Sequence, residues 1–129
     1  MKLVTYLHDG KEAVGVLRED GAAVRPLPFP DMNALIEAPR SQLLSAVKNA
    51  DASLPLSTVT LLAPIPRPRQ DVICLGINYK AHAVESGHYD ANAFGGERPV
   101  PIYFSKRVTE AVAPGGFIER HPGLVSRLD

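Results

Sequence analysis

Two runs of alternating proline, at residues 26–30 (Pro-Leu-Pro-Phe-Pro) and 64–68 (Pro-Ile-Pro-Arg-Pro), set the limits within which this chain can fold. Each proline removes a backbone donor and fixes one dihedral, so neither run reads as a helix, and both alternate with apolar or basic residues as connectors do. The second run favours extended backbone and marks a domain boundary. On that division residues 1–63 form an N-terminal α+β domain, 64–70 a proline-rich linker, and 71–129 the beginning of a second domain.

Length and composition leave a narrow set of classes. A chain of 129 residues holds one ordinary domain, or a small domain and a piece of another. Its hydrophobic fraction of 45% and charged fraction of 22% are those of a soluble globular protein. Fourteen basic residues balance fourteen acidic ones, which gives no electrostatic reason to expect nucleic acid or an anionic membrane as partner. Small molecules and protein surfaces remain. The single Cys74 has no disulfide partner within the chain and sits in the apolar run Val72, Ile73, Cys74, Leu75, where it reads as a small buried hydrophobe. The first ten residues carry charges and a histidine in place of a signal peptide's apolar region. With no apolar stretch near the ~20 residues of a membrane span, the expected location is cytoplasmic.

Turn signals divide the N-terminal part. Residues 2–7 form an apolar and β-branched run, Asp9-Gly10 follows as a hairpin turn, residues 13–17 make the second arm, and Asp20-Gly21 leads into a third at 22–24. A β-meander with one shared apolar face is the expectation. Asp31 caps a helix carrying Met32, Leu35 and Ile36, which Pro39 ends, and a second helix from about Ser41 presents Leu43, Leu44, Val47 and Ala50 as a stripe. Residues 59–62 read as a strand. Beyond the second proline run, 71–75 is a compact, buried-looking strand, and Gly76 closes it where the backbone turns sharply or meets something closely. A short helix over 78–85, capped by Asn78, precedes a glycine loop, and 101–105 reads as a further strand.

His82 and Glu85 are the sharpest local chemical signal. Residues three apart on a helix share a face, and a carboxylate beside an imidazole fixes its tautomer and raises its basicity. Surface helices also show this spacing by accident, but here it follows a strand-to-helix corner of the kind active sites favour. Tyr79 lies on the same face, as a pocket wall and hydrogen-bond donor or as a core tyrosine with a wet hydroxyl. Lys106 ends the strand at 101–105 beside Arg107, either to meet a substrate carboxylate or enolate oxygen or as a solvated strand end. His82, Glu85, His88 and Asp90 match no zinc or calcium pattern, and 94–97 lacks the spacing of a phosphate or dinucleotide loop, so no local metal site is assigned.

Read together, Asp71-Val-Ile-Cys-Leu-Gly-Ile-Asn-Tyr-Lys-Ala-His-Ala-Val-Glu85 and Pro101-Ile-Tyr-Phe-Ser-Lys106 resemble the opening of the catalytic domain of the fumarylacetoacetate hydrolase family. The likeness runs over about residues 61–129, with Pro114-Gly-Gly116 and His121-Pro-Gly-Leu-Val-Ser-Arg-Leu-Asp129 included. It implies the leading part of a β-roll after a variable N-terminal domain. It also implies a metal-dependent hydrolase or isomerase of small dicarbonyl acids, as in aromatic catabolism, that usually forms homodimers. One magnesium or manganese ion polarises the substrate's enolate oxygens. The resemblance gives His82 and Glu85 the proton-handling role, and Tyr79 and Lys106 are the substrate-binding candidates.

Two departures shape the expectation. The family's Glu-x-Glu pair follows a segment like Ser126-Arg-Leu-Asp129, and a third acid follows later, so the resemblance implies a truncated domain that binds no metal alone and is inactive. Where acylpyruvate-cleaving relatives carry an arginine after the glycine, this chain has Ile77, which favours the isomerase or general hydrolase branch. The competing reading is a non-catalytic interaction module whose residues after Pro64 fold onto the first domain.

Overall fold

A computed structural model describes residues 1–77, 79, 81, 82, 84, 87 and 101–124. They fall into two compact units: Met1–Pro68 with the chain from Thr109 onward, and Arg69–Val108.

The first unit is built on an antiparallel hairpin. Strand β1 (Lys2–His8) pairs with β2 (Lys11–Leu17) in a register running from Lys2 opposite Leu17 to His8 opposite Lys11. The connecting Asp9 and Gly10 have φ of 48° and 73°. Left-handed backbone at both central residues is the type I′ signature, whose twist matches that of the arms. At the next corner the Asp20 carboxylate accepts from the Ala22 amide at 2.9 Å and Gly21 takes φ 70°. Strand β3 (Ala23–Pro26) then completes the expected meander. After the helices, β4 (Leu54–Pro55) and β5 (Thr60–Leu61) add to the two edges, giving the order β4-β3-β2-β1-β5.

Two helices close one face. Helix α1 (Met32–Glu37) starts at Asp31, whose side chain accepts from the Ala34 amide at 2.7 Å. Pro39 caps the start of α2 (Arg40–Lys48). The core gathers Val14, Val16, Leu27, Met32 and Leu35, with Leu43, Ala46, Val47 and Ala50 packed against it. Those last four stand at i, i+3, i+4 and i+7, which is one helical stripe. Leu44 and Ile36, expected on the inward faces, are 50% and 59% exposed. Each lies about 100° round its helix from a neighbour, Leu43 or Leu35, that faces the core.

Both proline runs pack instead of bridging. The Leu27 amide donates to the Val14 carbonyl at 2.9 Å, and Leu27, Phe29 and Ile65, the apolar residues between prolines, lie in or against the core. The segment expected as a linker is anchored by Thr5, 1% exposed, whose hydroxyl donates to the Pro64 carbonyl at 2.7 Å. A proline cannot donate, but its carbonyl accepts freely. Arg67 pairs with Glu12 of β2 and, at 3.3 Å, with Glu110. The Ala111 amide bonds the Pro66 carbonyl at 2.8 Å, which brings the later segment back onto this unit.

The second unit holds β6 (Val72–Gly76) and β7 (Ile102–Lys106), antiparallel, from Val72 opposite Lys106 to Gly76 opposite Ile102. The expected strand forms, but not its burial: Val72, Ile73 and Leu75 are 44%, 68% and 43% exposed. Cys74 is only partly buried, with its thiol 3.8 Å from the Val72 carbonyl. Alternation sends these side chains to both faces of a ribbon that no other described strand flanks.

Candidate functional site

The chemistry expected of the second unit gathers where β6 ends. Gly76 pairs with Ile102 as the last rung of the ladder, yet a Cβ added there would meet Ile102 atoms no closer than 3.7 Å, which is ordinary contact. The sharp turn falls one residue later, on Ile77, at φ 50°. Beyond it the backbone is helical at Ala81, His82 and Val84. The rings of Tyr79 and His82 meet with centroids 5.3 Å apart and planes inclined at 38°. Tyr79 is 63% exposed and His82 half-buried, so both rings reach solvent and a small molecule. A phenol beside an imidazole supplies one hydroxyl donor and one ring nitrogen that can accept or donate a proton. Glu85, the expected partner of His82, lies outside the described residues, as do Asn78, His88 and Asp90.

Over 74 residues the chain is 38% identical to oxaloacetate tautomerase YisK of Bacillus subtilis. The match takes in 57% of this chain and covers 23% of that relative's length. It supports the fumarylacetoacetate hydrolase family at the coarse level of an isomerase or hydrolase, and no particular substrate. No family model matches the chain.

Lys106 ends β7. It pairs with Val72, at the other end of the ladder from Gly76, four rungs or roughly 13 Å along the strand. Its ammonium lies 5.9 Å from the centre of the Phe104 ring on the same face, a contact that holds the cation near its own strand. Arg107 approaches Asp71 at 3.8 Å, an exposed pair worth little on its own. Tyr79 and His82 are therefore brought together, while Lys106 is described at the Val72 end of the ladder, beside Phe104.

Among the described residues no three His, Cys, Asp or Glu side chains come together to hold a metal ion, and no helix is long and apolar enough to cross a membrane. These residues do not by themselves fit the family's metal. In the first unit an open groove of about 790 Å³ runs between Pro26, Leu27 and Pro28 and the α2 residues Gln42 and Ala46, and none of the expected site residues lines it. His8 has Nδ1 3.2 Å from the Thr58 carbonyl and Nε2 3.5 Å from the Asp9 carboxylate. The sequence signal for that pairing was only the adjacency of the two residues in a turn. Ile77 carried no signal of a turn, because β-branched residues are those least expected in left-handed backbone.

Proposed function

We propose that this chain contributes the proton-handling corner of a metal-dependent isomerase or hydrolase of the fumarylacetoacetate hydrolase family, acting on a small dicarbonyl acid of the oxaloacetate type. The likeness to a protein named for oxaloacetate tautomerisation motivates the substrate class. The observation that carries the reading is the exposed Tyr79–His82 ring pair directly after the β6 corner. Tautomerisation moves one proton from an enol hydroxyl to the neighbouring carbon, or back. In this reading the neutral His82 imidazole takes the hydroxyl proton as the enol C=C electrons shift, and the imidazolium returns a proton to carbon. The Tyr79 hydroxyl donates to a substrate oxygen and orients it. Glu85 steadies the imidazolium, and the family's magnesium or manganese would polarise the enolate oxygens from acids other than the described residues.

The test reads contact at the pair. Oxaloacetate titrated into the isotopically labelled chain, with magnesium present, is expected to move the ring resonances of Tyr79 and His82 together. His82→Gln should remove the response at Tyr79 while leaving ladder contacts such as Cys74 to Phe104 in place. Ring resonances that stay still at every oxaloacetate concentration reject the assignment.

A second reading, a binding module without catalysis, is favoured by the return of 109–113 onto the first unit. It predicts cooperative unfolding of the chain and no shift at the ring pair.

A further inference from the structure

We infer that Ile77 is a positioning residue for the Tyr79–His82 pair, through the left-handed turn that it takes at the end of β6. The inference rests on the reading of His82 as the proton-handling group. Three observations carry it. The bend sits on Ile77, with φ 50°, although a glycine stands one position earlier. A β-branched residue pays for left-handed backbone with steric strain, and such strain persists only where the surroundings over-determine it, as they do around functional groups. Next, neither ring is held by burial, since Tyr79 is 63% exposed and His82 only half-buried, so packing in a core does not fix their contact. Finally, Tyr79 lies in a bend and not in the helical backbone that carries His82, so the helix by itself does not fix the ring separation of 5.3 Å. Among the described residues, what remains is the direction in which the backbone leaves the ladder at Ile77. Isoleucine in this region has one narrow well, whereas glycine would spread over several.

Two variants of the full chain test it by the nuclear Overhauser contact between the Tyr79 and His82 rings. Ile77→Gly relieves the strain, and should keep the β6–β7 contact of Cys74 with Phe104 and hold or raise the melting temperature. The ring contact should nevertheless weaken by about twofold or more as the turn loosens. Ile77→Val restores a stiff β-branched corner and should retain the contact. An unchanged ring contact in Ile77→Gly overturns the inference, and so does loss of the ladder in that variant, which would make Ile77 merely structural. The measurement uses no ligand. Failure of oxaloacetate to reach the rings would sink the functional reading while leaving this one standing, and an unaltered contact would do the reverse.

Discussion

At the residue scale the first unit turns on a glycine and a tyrosine that face one another. A Cβ on Gly15 would stand 2.4 Å from a Val24 methyl, 2.7 Å from the Arg25 carbonyl and 3.2 Å from the Tyr6 ring. The backbone contact cannot swing away, so Gly15→Ala is expected to destabilise by about 1–3 kcal/mol, read from the denaturant midpoint. Tyr6, 2% exposed, has its phenol pushed above the ordinary value of 10.0 by burial. A raised folded-state pKa gives stability that is complete below the unfolded value and is lost as pH rises past it. Unfolding measured from neutral pH into the alkaline range should therefore show stability falling above about pH 10, and Tyr6→Phe should flatten that fall. A fall of equal size in the variant would assign it to other groups.

Elements here are decided by caps and carbonyl acceptors more than by length. Helix α1 has only six residues, too few to persist alone, and its start depends on the Asp31 carboxylate. Asp31→Ala should cost about 1 kcal/mol, seen as a lower melting temperature, while Asp31→Asn should retain most of the stability. The 109–113 segment is held by the Ala111 bond to Pro66 and by Arg67, whose guanidinium is kept above its ordinary pKa chiefly by its hydrogen bond to Glu12. Arg67→Gln is expected to speed hydrogen exchange at the Ala111 amide, as is added salt in the unmodified chain, because an exposed fork is readily screened. Equal exchange in both proteins would show that the Pro66 bond suffices. Much of this level was legible in advance: the Asp9-Gly10 turn, the Asp31 cap and the two helices follow from local chemistry. The docking of the 64–68 run was not, since nothing local says that the Thr5 hydroxyl, 59 residues away, will meet the Pro64 carbonyl.

For the whole molecule the contrast between the two units matters most. The first has a core sealed by helices and prolines. In the second, one face of the ribbon carries Ile73, Leu75 and Tyr103 at 68%, 43% and 65% exposure. Apolar area of this kind associates or binds dye. Ile73→Thr should lower the fluorescence of an apolar-surface dye without moving the main unfolding transition, and unaltered dye binding would place the exposed surface elsewhere. Magnesium titrated by calorimetry is expected to bind no more tightly than about millimolar, since the hard cation needs several carboxylate oxygens and the described residues offer no such cluster. Tight, stoichiometric binding would locate acids for the metal within this chain.

The sequence by itself determined the hairpin at Asp9-Gly10, the cap at Asp31 and strands within a residue of 71–75 and 101–105, because each depends on neighbours a few positions apart. Tertiary structure alone decided that Leu44 and Ile36 face water, that the second proline run packs, and that Lys106 lies beside Phe104 at the Val72 end of the ladder. It also moved the turn from Gly76 to Ile77. Local propensity ranks what each residue prefers, whereas which preference is overruled depends on surfaces that meet only when distant segments pack.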